Sequence, residues 1–217
     1  MEETRVPVAG GSVGAFLSGA GPVAVALAHG AGGTRRTPLL GRVATALVAT
    51  GRRVLLFDFP YVDAGRRAPD PPSVLEATVA SVAGHLRGAL GARHVVLGGK
   101  SMGGRIASQA VAGGLAADAL TFLGYPLHPP GRPELLRDRH LAAIRAPMLF
   151  LQGTRDSFAR WDLIEGVCRR LGSAARLVRL EGADHSFRVP KRSGRTDAEV
   201  EAELMAALLG FLGDHGL

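Results

Sequence analysis

Two five-residue stretches set a serine between spaced glycines: Gly10-Gly11-Ser12-Val13-Gly14 and Gly99-Lys100-Ser101-Met102-Gly103. A serine hydroxyl in such a setting is a candidate nucleophile for acyl transfer, provided a base takes its proton. Chance supplies about 0.2 matches to G-x-S-x-G in a chain this rich in glycine, so the pattern alone does not choose between the two serines. Their surroundings do. Ser101 ends the apolar run Val95–Gly98 and opens a helical pattern, Met102–Ala112. A strand-to-helix turn of that kind is sharp and lifts the hydroxyl above the sheet edge, and the flanking glycines leave room for it. Ser12 precedes a strand-like Ala15–Leu17 and follows no strong strand, so it is assigned to a glycine-rich hairpin turn.

The base must come from one of seven histidines. His85 and His140 lie within helical patterns, His215 is in the tail, and His94 begins a strand at the wrong end of the sheet. His29, His128 and His185 follow strands. Of these only His185, in "LEGADHSF", comes after the last strand. The acid that orients it is expected from "LFLQGTRDSFA", where Asp156 follows a strand ending near Gln152. Asp156 competes for another role, the N-cap of a helix expected from Phe158, which would stabilise that helix by about 1 kcal/mol. Asp184, beside His185, is expected to hold its own loop through backbone hydrogen bonds. Serine, acid and histidine in that order, each after a separate strand, form a triad pattern.

Acyl transfer also places negative charge on a carbonyl oxygen, and two backbone N–H groups aimed there lower the barrier. Met102, at the start of the nucleophile helix, supplies one. The loop "LAHGAGGTRR" supplies the other, expected at Ala31, with Gly30, Gly32 and Gly33 letting the chain bend close to the serine. That loop matches neither a P-loop nor a dinucleotide fingerprint.

These residues need a frame, and the chain alternates short apolar runs with helical patterns. Strands are predicted at 22–28, 54–59, 95–98, 119–124, 147–152 and 175–180, with one or two more within 6–17 at an edge. Helices are predicted from Thr37-Pro38 to Gly51, from a capping box Ser73-x-x-Glu76 to Leu90, over 102–112, near 134–141, over 158–171, and from a capping box Thr196-x-x-Glu199 onward. Nearly all-apolar strands alternating with helices predict an α/β fold with a mostly parallel sheet of about six to eight strands, helices on both faces, in a single domain spanning 1–217. Sites in such sheets lie at the carboxyl ends of the strands.

Composition narrows the class. The chain is 217 residues, 47% hydrophobic and 21% charged, with a formal charge of +7. Nucleic-acid binding has to be weighed on that charge, but the basic residues are scattered pairs, such as Arg52-Arg53 and Arg169-Arg170, with no aromatic interleaving. An arginine-rich solvated surface is the expectation, with no nucleic-acid partner. No signal-peptide pattern opens the sequence and no apolar run is long enough to span a bilayer, so a cytoplasmic protein without membrane association is expected. The single Cys168 sits at helical spacing with Ile164, Val167 and Leu171, which predicts a core position rather than a nucleophile.

The motifs "HGAGG", "GKSMGGR", "LQGTRDSF" and "GADHSF" resemble those of the α/β-hydrolases, most closely the compact, lid-less members related to dienelactone hydrolase and small carboxylesterases. The resemblance implies a Ser101–Asp156–His185 triad, a small acyl ester or thioester as substrate, and no metal or cofactor. Only Tyr125–Ala146 separates the two strands between which many relatives insert a lid, so an open site is expected. Phe59, Tyr61, Tyr125, His128, Phe158 and Phe187 lie in strand-end loops and are the candidates to line an acyl pocket. Arg35, Arg36, Lys191 and Arg192 are expected to make the rim positive, and Lys100 to pair with Asp58. The rival expectation is a binding or scaffold protein that retains the hydrolase fold without turnover.

Overall fold

Every apolar strand predicted from the sequence belongs to one sheet. A computed structural model describes all residues, Met1–Leu217. Its eight strands are β1 (Glu2–Val8), β2 (Gly11–Ser18), β3 (Val23–Ala28), β4 (Arg53–Phe57), β5 (His94–Lys100), β6 (Ala119–Leu123), β7 (Met148–Gly153) and β8 (Ala175–Leu180). They lie in the order β1-β2-β4-β3-β5-β6-β7-β8. The β1–β2 and β2–β4 pairs are antiparallel and the rest are parallel. The central strands are buried on both faces, which is why their sequences are continuous apolar runs and not alternating ones.

Six helices cover the sheet: α1 (Pro38–Val48), α2 (Pro60–Asp63), α3 (Pro72–Gly88), α4 (Met102–Ala112), α5 (Trp161–Leu171) and α6 (Asp197–Asp214). One face packs Leu75 and Val82 of α3, Ile106 of α4 and Ile164 of α5 against Leu97, Phe122 and Phe150. The other packs Leu40 and Leu47 of α1 and Leu204 and Phe211 of α6 against Val25, Leu56 and Leu151. The parallel crossovers bring the carboxyl ends of β3, β5, β7 and β8 to one edge, and with them the loops that carry His29, Ser101, Asp156 and His185.

Several predicted helix starts shift. The capping box at Thr196 forms, with Glu199 returning the bond to the Thr196 backbone. The one at Ser73 does not: Pro72 takes the first helical position with Pro71 before it, so Ser73 lies inside the helix. The helix expected near 134–141 is only a 3₁₀ turn, Arg139–Ala143. Upstream of it the chain is tied to the preceding loop, with Arg137 N–H donating to the Leu127 carbonyl and the Tyr125 hydroxyl donating to the Arg137 carbonyl. Helix α5 begins at Trp161, not Phe158, because residues 156–160 form a turn around the Asp156 carboxylate.

Helix α4 crosses β3 at backbone contact. A Cβ on Gly103 would lie 2.5 Å from the Ala28 carbonyl oxygen and 2.7 Å from that of His29. Neither neighbour is a side chain that can swing aside. Gly103→Ala is therefore expected to lower stability by about 1–3 kcal/mol, read from the urea midpoint. It is also expected to slow any reaction at Ser101, because α4 carries that residue at its start.

Candidate active site

Ser101 occupies the turn between β5 and α4 with φ 51° and ψ −115°, a strained conformation for a residue with a side chain. Gly99 makes the turn possible: its φ is 147° and a Cβ there would meet the Ala28 carbonyl oxygen at 2.1 Å. The strain presents Oγ to the loop after β8. There His185 Nε2 stands 2.9 Å from Ser101 Oγ, and His185 Nδ1 stands 2.6 Å from Asp156 Oδ2. An ionised carboxylate only accepts, so Nδ1 carries the proton and Nε2 is left to accept from the serine hydroxyl. The three residues that the sequence singled out form one continuous hydrogen-bonded chain.

Asp156 is buried and fully engaged. Oδ1 accepts from the Phe158 backbone N–H at 2.7 Å, and Oδ2 also accepts from Gln152 Nε2 at 2.6 Å. The competing N-cap role is not realised, because Arg160 is the N-cap of α5. Gln152 was not singled out from the sequence. It is fully buried, and its Oε1 accepts the Tyr125 N–H at 2.8 Å, so it fixes Asp156 between two strands. The signal was present: a carboxamide at the end of an otherwise apolar strand needs a buried partner. Asp184 holds its loop as expected, accepting from the N–H groups of Ser186 and Arg188.

The loop after β3 packs on Ser101, with a Cβ on Gly30 reaching to 3.4 Å from Ser101 Cβ. Its anchor is Asp58, at the end of β4 and 1% exposed. Asp58 accepts the Arg35 backbone N–H at 2.5 Å and also pairs with the Arg35 guanidinium. Glu3 of β1 binds the same guanidinium at 2.6 Å. This corrects two expectations. Lys100 does not pair with Asp58, because Arg35 occupies that carboxylate. Arg35 and Arg36 are not free rim cations, because both pair with Glu3 and lie over the Phe16 ring. His29 is buried beneath the loop. It accepts the Phe59 N–H at Nε2 and faces the Gly30 carbonyl at Nδ1. Burial pushes its pKa down, against the pull of that carbonyl and Asp58.

The family follows from comparison with known proteins. A family model described as an alpha/beta hydrolase domain matches residues 22–213. The chain belongs to the α/β-hydrolase family. Solved structures of lid-less hydrolases match over nearly the full length. An α/β serine hydrolase homologue from Coxiella burnetii is 18% identical, with 97% of each chain covered and a TM-score of 0.77. A serine hydrolase without a lid from Xanthomonas campestris is 19% identical, covering 97% of this chain and 94% of that one, also at 0.77. A dienelactone hydrolase from Anabaena variabilis is 22% identical, covering 96% and 97%, at 0.71. At these identities the likeness carries the fold and leaves the substrate open.

Within this α/β-hydrolase the residues expected to line a pocket divide. Phe59, Tyr61 and Tyr125 are at most 1% exposed and belong to the core beneath the strand ends. They brace the loops, and of the three Tyr61 borders a surface cavity, beside Gly32, Gly33 and Arg66. His128 is also buried, and its Nε2 accepts the Arg160 N–H, tying two loops together. Phe187 is buried with φ 62° in the turn after His185. Phe158 alone is half-buried, its ring 4.3 Å from that of His185 and inclined by 32°. Lys191 and Arg192 are exposed. Ser12 is the second residue of β2, with its hydroxyl accepting from Arg5 Nε far along the edge hairpin. No helix is long and apolar enough to cross a membrane.

Cys168 is buried in α5, and burial pushes its thiol up to about 12. A thiol that stays protonated is a poor nucleophile. Native protein at pH 8 is expected to resist iodoacetamide until unfolded, as followed by intact mass, and Cys168→Ala is expected to leave turnover unchanged.

Proposed function

We propose that this chain is a serine hydrolase that cleaves carboxylic esters or thioesters through an acyl-enzyme on Ser101. The observation that carries this reading is the unbroken chain Ser101 Oγ–His185 Nε2, His185 Nδ1–Asp156 Oδ2 at the carboxyl edge of the sheet. Ser101 Oγ attacks the substrate carbonyl carbon as its proton passes to His185 Nε2. Asp156 stays ionised, holds the imidazole in the required tautomer and stabilises the imidazolium. The tetrahedral oxyanion takes hydrogen bonds from the backbone N–H groups of Ala31 and Met102. Met102 is the first residue of α4, whose amide has no acceptor within the helix, and the positive end of the helix dipole adds to its pull. His185 then protonates the departing alkoxide or thiolate. Water, deprotonated by His185, attacks the acyl-serine, and the acid product leaves with the serine restored.

Phe158, packed on His185 with part of its ring free, is the aromatic wall of the acyl site in this reading. A small-molecule ester or thioester is the partner implied, and the cytoplasm is the expected place of work. Fluorophosphonates react far faster with an activated serine than with a resting one, so labelling of the wild type that is lost in Ser101→Ala is the expected result. A folded wild type that takes no label would instead favour a binding protein built on the hydrolase fold.

A further inference from the structure

Lys100 is one of two lysines in the chain and sits immediately before the nucleophile, at the end of β5. Its Nζ is buried and makes no hydrogen bond. An ammonium in that condition is costly to keep, so what surrounds it matters. The point where a Cβ on Gly124 would stand lies 3.2 Å from Lys100 Nζ, 3.5 Å from His185 Nδ1 and 3.6 Å from Asp156 Oδ2. The ammonium, the imidazole nitrogen and the carboxylate thus face one small space that glycine leaves open. On another side Nζ lies 5.5 Å from the centroid of the Phe187 ring.

We propose that Lys100 is a positioning residue that governs the rate of the hydrolysis proposed above, its charge opposing the proton that His185 must accept from Ser101. The inference rests on that hydrolytic reading. While Lys100 is charged it repels the imidazolium formed in the transition state and weakens the hold of Asp156 on it. When Lys100 is neutral, both effects vanish and His185 becomes the stronger base. Burial pulls the Lys100 pKa down to about 8, against the attraction of Asp156 and Asp184. The change of charge therefore falls near working pH.

The other charged groups around Lys100 are accounted for. Asp156 comes from the loop after β7, and Asp184, His185 and Arg188 from the loop after β8. Arg42 of α1 and Asp197 and Glu201 of α6 share a cavity of about 310 Å³ with it. Glu201 is engaged by Arg42 at 2.5 Å, and Asp197 accepts the Val189 N–H, and neither carboxylate satisfies the ammonium.

The test compares kcat against pH for the wild type, Lys100→Met and Lys100→Arg, with p-nitrophenyl acetate as substrate. The wild type is expected to speed up through about pH 8. Lys100→Met, uncharged throughout, is expected to run about 3- to 10-fold faster than the wild type at pH 7 and to lack that rise, given the size of a nearby unit charge. Lys100→Arg keeps a permanent charge and is expected to stay slow with no rise. Equal profiles for all three, or a slower Met variant, would overturn the inference. Lys100→Gln replaces Met if that variant does not fold.

A second arm does not depend on turnover. With only two lysines, ¹³C-lysine labelling gives two ε-carbon signals, assigned with Lys191→Arg. The Lys100 titration is expected to fall by about one pH unit in Asp156→Asn, which removes the facing negative charge. An unchanged titration would refute the coupling. Absence of turnover in every form would sink the hydrolytic reading instead, and the lysine titration would still decide whether Lys100 and Asp156 act on each other.

Discussion

Ser101→Ala is expected to lower kcat for ester hydrolysis by about 10⁵-fold or more while leaving the fold intact, a loss of the size seen when one member of such a unit is removed. The reason is chemical. Without Oγ no acyl-enzyme forms, and what remains is water attacking a bound carbonyl near the amides of Met102 and Ala31. Folding should scarcely change, because the hydroxyl makes its one side-chain contact with His185. His185→Ala should cost a similar factor, and the double variant little more than either single one. Groups that act in one proton transfer do not add. Independent, additive losses would mean that Ser101 and His185 do not work as a pair. The measurement is steady-state turnover of an activated ester, with circular dichroism showing that each variant is folded. Ser12→Ala is the control, with unchanged rate, since that serine lies on the edge hairpin away from the site.

Asp58→Ala is expected to destabilise the protein by about 3 kcal/mol or more, in the range for breaking one side of a buried ion pair. Asp58 is 1% exposed and the Arg35 side chain 14%. Removing the carboxylate leaves the guanidinium the exposed Glu3 and, at 4.0 Å, Asp63, and leaves the Arg35 backbone N–H without its acceptor. The loss should appear as a lower urea midpoint at unchanged slope. Activity is expected to fall as well, in kcat more than in KM, because Arg35 belongs to the loop that carries Ala31. Charge reversal cannot restore what is lost: Arg35→Asp with Asp58→Arg would put the longer side chain at the buried strand end.

The strands were legible because the central sheet is covered on both faces and its strands are unbroken apolar runs. Ser101, Asp156 and His185 were legible because each follows such a run, and the order of strands in the sheet then brings them to one edge. What escaped were choices made by tertiary contacts. Lys100 was expected at Asp58 and Arg35 on the rim, and only packing decides that Arg35 reaches that carboxylate while Lys100 turns toward His185 and Asp156. Phe59, Tyr61 and Tyr125 follow strands as binding residues do, yet the loops fold them inward, and nothing in their spacing separates a brace from a wall. Helix starts moved where a proline pair, at Pro71-Pro72, or a carboxylate turn, at Asp156, outcompeted the local capping pattern.

The central claim is that an acyl group resides on Ser101 during turnover. Mixing the protein with p-nitrophenyl acetate, quenching in acid and mapping the digest by mass spectrometry reads this directly. One acetyl group on the peptide carrying Ser101, absent from the Ser101→Ala protein and discharged on return to neutral pH, is the predicted result. Turnover of the ester with Ser101 never acetylated, or with acetyl on another residue, would contradict it.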